Sequence, residues 1–245
     1  MVELTLASEL SLIFTRVSMP PQTHRSLKGI SKSTVPSQGL PKAWPENITY
    51  LSSPVYSRSI ERSLLCVEKG SKEASELTVI SPEARAPCQL VRIKPISNLP
   101  HPANGQFGLF ATQNLLPGTF IITYLGYVHD SVDTDPTSDY DLRLNAELGI
   151  AVDASRMGNE TRFINDYRGV SDTGPNAEFR DVLVDLGNGV LERRTGVFVL
   201  NAGKVKSGKR AKGIAKGEEI LVSYGKGFWQ GRKKESELKD RDYVK

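Results

Sequence analysis

Apolar and polar positions alternate in short runs along the later two thirds of this chain, and short runs of period two predict strands. CQLVRIKPI opens the pattern at Cys88. TFIITYLGYV, Thr119–Val128, is dense in β-branched and aromatic residues and predicts one continuous strand. YDLRL, GIAVDA, DVLVDL and GVFVL predict further short strands, with the turn residues Gly187-Asn188-Gly189 ending the third of them. EEILVSY, Glu218–Tyr224, predicts the last. Many short strands at close spacing with little helix point to a mostly β fold with irregular connections.

Elsewhere the pattern lapses. Residues 1–58 predict a flexible arm: from Met19 onward they are rich in Pro, Ser and Thr, with one docking spot around Trp44. Residues 59–87 predict a short helical segment, because Ile60, Leu64 and Leu65 share a helical face and Ser81-Pro82-Glu83 has the form of a helix start. The charged tail over 230–245 predicts a surface helix in RKKESELKDRDYVK. One internal stretch, VDASRMGNETRFINDY from Val152 to Tyr167, fits neither period: Asp153, Gly158, Asn159, Arg162, Asn165 and Asp166 interrupt it, and Phe163-Ile164 is its one apolar pair. A tight backbone junction, a ligand, or solvent around a polar loop with one buried Phe would use those polar groups.

Composition narrows the classes. With 245 residues at 38% hydrophobic content, the chain holds one medium or large domain with some part unpacked. Its two cysteines, Cys66 and Cys88, are too few for a disulfide framework or a four-ligand zinc site, so no metal is expected. No apolar run approaches the roughly 18 residues that span a bilayer. The formal charge of +4 is compatible with an acidic partner. Residues 203–216 carry Lys204, Lys206, Lys209, Arg210, Lys212 and Lys216 and no acid, which makes either a solvated loop or a grip on DNA or an acidic protein surface. The acidic run SVDTDPTSD at 131–139 is a weaker counterpart, suited to a basic tail. Leu10–Pro45 lacks acids and faintly resembles a mitochondrial presequence, against which stand Glu3 and Glu9; Met19 is an alternative start.

Taken in order, FGLFAT, YLGY, SDYDLRL, VDASRMGNETRFIND, PNAEF and GEEILVSYGKGFW resemble the SET domain, the fold of most protein-lysine methyltransferases. The resemblance covers about Cys88 to Trp229 and divides the chain into an arm at 1–58, a helical segment at 59–87, a SET domain at 88–229 and a tail at 230–245. It implies a β-clip of short curved sheets in which the Val152–Tyr167 region and the C-terminal strand thread through one another as a pseudoknot. No cysteine follows Cys88, so the likeness is to a form without the zinc-binding segments that often flank the domain.

The same resemblance implies chemistry. Phe107 and Gly108 fill the last two places of a Gly-x-Gly turn that approaches S-adenosylmethionine, with Gln106 where the first glycine is usual. Tyr140 matches a tyrosine beside the cofactor, or is a half-buried strand aromatic. Arg162-Phe163-Ile164-Asn165 matches Arg-Phe-x-Asn: Asn165 would bond the cofactor and Arg162 brace the pocket. The family continues His-Ser-Cys where this chain has Asp166-Tyr167-Arg168, so Asp166 would supply the backbone contacts to adenine. Tyr224 takes the place of the essential tyrosine beside the departing methyl, and Tyr124 that of a second tyrosine at the lysine channel. Val222 either leaves room in that channel for di- or trimethylation or is a core strand valine. Phe228 and Trp229 either close the channel, with Trp229 stacking near the cofactor, or plug the last strand.

The implied activity is methyl transfer from S-adenosylmethionine to a protein lysine, with a histone as the family-level substrate and a nuclear, chromatin setting; a cytoplasmic or mitochondrial one is the alternative. A lysine amine, pKa about 10.4 when free, must lose its proton to attack, which an apolar channel beside a sulfonium promotes. The alternative is a catalytically weak or inactive SET module that binds a lysine-bearing tail. A nucleic-acid-binding protein working through the basic loop is a third expectation, and predicts salt-dependent binding.

Overall fold

The computed structural model describes residues 39–81, 86–203 and 209–232. Strands dominate. The longest pair is the hairpin Ala177–Gly187 and Val190–Val199, which unites the predicted DVLVDL and GVFVL strands into one ladder. Asn188 and Gly189 turn it with φ of 53° and 79°, the left-handed pair that an Asn-Gly hairpin turn accommodates. Phe120–Thr123 joins the Val190–Val199 strand, and the two short strands Cys66–Glu68 and Thr78–Ile80 complete this sheet.

A second sheet orders Val55–Tyr56, Tyr127–His129, Ile150–Asp153 and Asp141–Asn145. Val91–Pro95 pairs with Phe107–Ala111 in a third. The apolar faces meet in one principal core, to which Ile93, Leu109, Ile122, Ile164, Val197 and Val222 belong. The mostly β expectation therefore holds, with the short-sheet architecture of a SET domain.

Three local expectations change. The strand predicted across Thr119–Val128 is two strands in different sheets, Phe120–Thr123 and Tyr127–His129. The break occurs because its backbone finds partners elsewhere. Tyr124 N–H donates to Thr195 O at 2.8 Å, and the amide of Asn159, 1% exposed, donates to Thr123 O at 2.8 Å and accepts from Leu125 N–H at 3.4 Å. Gly126 is the pivot, since a Cβ there would lie 2.4 Å from Asp153 O. The strand predicted over Glu218–Tyr224 shortens to Leu221–Val222. The expected helical segment at 59–87 contains a 3-10 turn, Arg62–Leu65, and one helix, Lys72–Glu76, capped by Ser71, but it also adds strands to the large sheet. Of the expected Ser81-Pro82-Glu83 helix start, Pro82 and Glu83 lie outside the described residues.

Part of the expected arm is ordered. Residues 1–38 are outside the described set, but Thr49–Tyr50 pairs in parallel with Met157–Gly158, and Val55–Tyr56 with Tyr127–Val128. The segment lacks a period because tertiary partners hold it. Trp44 donates its indole N–H to Ile48 O at 2.7 Å and packs edge-on to Tyr50 and Phe163. The Tyr50 hydroxyl donates to Glu160, and the Tyr56 hydroxyl to Glu192. The surface helix expected in the tail and much of the basic loop lie outside the described residues; Lys209–Lys212 is a 3-10 turn. Among the described residues no helix is long and apolar enough to cross a membrane.

Glu192 is the strongest of these anchors. It has no exposed surface and accepts from Tyr56, from Arg194 Nε at 2.8 Å and from Arg62 Nε at 2.6 Å. Burial alone raises its carboxyl pKa, but the Arg194 charge and the bonds from Tyr56, Arg194 and Arg62 outweigh burial and hold it below the ordinary value. Such a carboxylate stabilises the fold above its unfolded pKa and loses that contribution as pH falls through the depressed folded value. Glu192→Ala strands Arg194, whose side chain is 14% exposed, and the Tyr56 hydroxyl. We expect a loss of about 3 kcal/mol, seen as a lower urea midpoint; an unchanged midpoint would show that the cluster contributes nothing.

Candidate active site around the threaded C-terminal segment

The segment from Gly217 to Tyr224 runs between two parts of the chain. On one side it bonds the Phe107–Ala111 strand: Gly217 N–H donates to Ala111 O, Ala111 N–H to Glu218 O and Ile220 N–H to Leu109 O, all within 2.8–2.9 Å. On the other, Leu221–Val222 pairs in parallel with Asn165–Asp166, and Tyr167 N–H donates to Val222 O at 2.9 Å. Asn176 then acts as a side-chain strand, donating from Nδ2 to Glu219 O and accepting Leu221 N–H at Oδ1, both at 2.8 Å. The loop 165–176 is thus tied at both ends to the segment it crosses. This threading is why the Val152–Tyr167 stretch follows no period: its backbone is paired to residues far along the chain. Phe163 and Ile164, its apolar pair, are core residues.

Tyr224 leaves the threaded segment with its backbone N–H donating to Asp166 Oδ2 and its hydroxyl donating to Ile164 O, both at 2.7 Å. The residue is 37% exposed although its hydroxyl is bonded within the knot. Burial, then the nearby Tyr140, Asp166, Asp139 and Glu219, push its pKa well above the ordinary tyrosine value. Tyr124 is buried and donates its hydroxyl to Tyr140 O at 2.7 Å. Burial and the Asp153 charge raise its pKa strongly. Both phenols keep their hydrogens at neutral pH and spend them on main-chain carbonyls, so each offers lone pairs and neither serves as a base.

Arg162 lies between two rings, its guanidinium 4.5 Å from the Tyr140 centroid and 5.0 Å from that of Phe163. Its Nε donates to Ala154 O at 3.0 Å and its Nη2 to Ser155 O at 3.4 Å. Asn165 donates from Nδ2 to Phe107 O at 3.2 Å and to Glu219 Oε1 at 2.8 Å. Gly108 sits against the same carboxylate: a Cβ there would come within 2.5 Å of Glu219 Oε1. Phe107, on the rim, is edge-on to Phe163 at 6.0 Å.

Asp166, the departure from His in the family pattern, is a hub. Its side chain is 6% exposed and accepts from Tyr224 N–H, from Trp229 Nε1 at 3.3 Å, from Arg168 N–H at 2.9 Å, and from Arg168 Nη1 on both oxygens. Trp229 and Phe228 stand on a helix at 225–232; Phe228 is edge-on to Tyr224 at 5.0 Å and to Trp229 at 5.3 Å. Val222 has no exposed surface and packs in the principal core.

The sequence motifs thus converge on the threaded segment, with Asn165, Phe107 and Gly108 on one flank and Asp166, Tyr224, Phe228 and Trp229 at its end. Two participants were not foreseen: Glu219, which accepts from Asn165, and His101, whose Nε2 lies 3.0 Å from Glu219 Oε2. Glu219 had a signal, since it is an acid adjoining the apolar run Ile220-Leu221-Val222. His101, between two prolines, had none. Among the described residues no group of three or more His, Cys, Asp or Glu is placed to hold a metal.

A SET domain family model matches residues 106–225. No curated protein matches the chain. Solved structures similar to it include the Chaetomium thermophilum polycomb repressive complex 2, at 25% identity over 56% of this chain and 15% of that one, TM-score 0.41. Another is the same organism's complex in an autoinhibited conformation bound to S-adenosylmethionine, at 24% identity over 62% and 17%, TM-score 0.42. The chain therefore spans less than a fifth of those neighbours, and nothing about its activity or partners rests on them. The family match, the order of the motifs and the threaded segment agree: residues 106–225 form a SET domain, and the chain belongs to the SET-domain family.

Proposed function

We propose that this SET domain transfers a methyl group from S-adenosylmethionine to the ε-amine of a protein lysine, with Tyr224 and Tyr124 as its catalytic tyrosines. The observation that carries the proposal is Tyr224, its hydroxyl hydrogen held by Ile164 O and its ring beside Phe228 at the end of the threaded segment. The site also suits an amino-acid headgroup: among the described residues Asn165 Oδ1 and Arg162 Nη1 have no partner, an acceptor for an ammonium and a donor for a carboxylate. Asn165, Arg162, Phe107, Gly108, Tyr140, Asp166 and Trp229 are the residues proposed to hold the cofactor, which when bound supplies the electrophilic methyl on a sulfonium.

The chain's own residues do the positioning. Tyr224 and Tyr124, fixed as acceptors, would take N–H hydrogens from the amine and leave its lone pair directed at the methyl. Because neither phenol ionises near neutral pH, the lysine proton must pass to water before transfer. Phe228 and Tyr140 would line an apolar entry that favours the uncharged amine. Histone lysines are the substrate class to test first, which makes the setting nuclear and the 203–216 loop a contact for chromatin. Val222, with no exposed surface in the principal core, fits the core-strand reading and is given no part in the channel.

Purified protein incubated with methyl-labelled S-adenosylmethionine, a histone panel and cell extract is expected to label a protein lysine, located by mass spectrometry. Folded protein that binds no S-adenosylmethionine in calorimetry would defeat the proposal. The departures from the family pattern at Gln106 and Asp166 motivate a second reading, a non-catalytic module for lysine-bearing tails. That reading expects tail binding in the absence of S-adenosylmethionine.

A further inference from the structure

We propose that Glu219 and His101 are positioning residues that fix the amide of Asn165, so that the site always presents an oxygen to the cofactor and selects for its α-ammonium group. The inference rests on the proposed cofactor role of Asn165. Its structural part stands separately.

Glu219 and His101 are both nearly enclosed, with side chains 10% and 5% exposed, and meet at 3.0 Å between Oε2 and Nε2. The tautomer follows from the other ring nitrogen. His101 Nδ1 accepts Ala103 N–H at 3.0 Å, so the ring hydrogen is on Nε2 and is donated to Glu219. The second carboxylate oxygen, Oε1, then faces Asn165 Nδ2 at 2.8 Å. Phe107 O takes the other hydrogen of that amide at 3.2 Å. Turning the amide over would set Asn165 Oδ1 against two acceptors, which costs both bonds and adds repulsion. Asn165 is therefore locked with Nδ2 inward and Oδ1 as the atom it offers.

The arrangement joins three remote parts of the chain, the 98–108 turn, Asn165 and the threaded segment. It also gives Gly108 a structural reason to be glycine. A Cβ at that position would sit 2.5 Å from Glu219 Oε1 and expel the carboxylate from its place against Asn165. The glycine of the cofactor turn is thus needed by the positioning pair, before any ligand arrives.

The test uses the full chain and two probes, S-adenosylhomocysteine and its analogue lacking the α-amino group, with affinities from calorimetry. The wild type is expected to favour the amino ligand by about tenfold or more, the worth of one charge-assisted hydrogen bond. Glu219→Gln and His101→Leu should reduce that preference several-fold while leaving the affinity for the deaminated analogue unchanged. His101→Gln, which returns an N–H towards Glu219, should restore it. Cooperatively folding variants that keep the wild-type preference overturn the proposal and leave the methyltransferase reading intact; a wild type that binds neither probe overturns both. A measurement without variants covers the case of poor folding. The Asn165 side-chain amide protons of the wild type should be protected from hydrogen exchange in the absence of ligand, and rapid exchange from folded protein would refute the lock.

Discussion

Tyr224→Phe is expected to lower methyl transfer by about 10²-fold or more, the cost of removing one preorganised polar group at a reacting centre, while S-adenosylmethionine binding changes little. The substitution removes only the hydroxyl. The ring keeps its edge contact with Phe228, and the backbone N–H keeps Asp166. What disappears is the oxygen whose hydrogen is committed to Ile164 O and whose lone pairs remain for an amine. Ile164 O loses its donor as well, for a stability cost of about 1–3 kcal/mol, so the variant should melt slightly earlier yet remain folded. Single-turnover rates with saturating labelled cofactor separate the two effects. Wild-type turnover in the variant would remove Tyr224 from the chemistry and with it the central residue of the proposal.

Asp166→Ala should be the more damaging change to the structure. One carboxylate holds the Tyr224 backbone, the Trp229 indole and Arg168 together, and its loss frees all three. Arg168, 36% exposed, can turn to water, whereas the Tyr224 N–H loses a charged acceptor inside the knot. A cost of about 3 kcal/mol is expected, which for a chain of this size is roughly 6–12 °C in Tm. The loss should concentrate at the 225–232 helix, which is anchored through Trp229, and there accelerate hydrogen exchange. Asp166→Asn, with its amide oxygen in the place of Oδ2, keeps an acceptor for both the Tyr224 N–H and the Trp229 indole and should recover part of the stability. If exchange in 225–232 is unchanged in Asp166→Ala, the carboxylate is not the anchor. The departure from the family's His thus has a structural use here: it ties down the helix at 225–232.

The strands were legible where side-chain alternation reports burial on one face, as in Val91–Pro95 and Ile150–Asp153. They were misjudged where the backbone changes sheets. Thr119–Val128 has the composition of a single strand, and nothing local shows that Asn159 and Thr195 take its hydrogen bonds across the break. The arm at 39–58 had no period because its order comes from Trp44, Tyr50 and Tyr56 reaching separate partners. At the site, the Arg-Phe-x-Asn and Glu-Glu-Ile-Leu motifs brought the right segments to attention. Glu219 and His101 escaped because their meaning lies in a contact between residues 118 apart in the chain.

By itself the sequence determined the family, the preponderance of strands and the identity of the residues at the knot, since these depend on residue type, order and spacing. The tertiary structure alone decided what each polar group is bonded to: Asp166 to the C-terminal helix, Asn165 to Glu219, and the phenols of Tyr224 and Tyr124 to main-chain carbonyls. The physical reason is that a hydrogen bond selects its partner by distance and direction in space. In a threaded fold those partners come from segments that no local period connects.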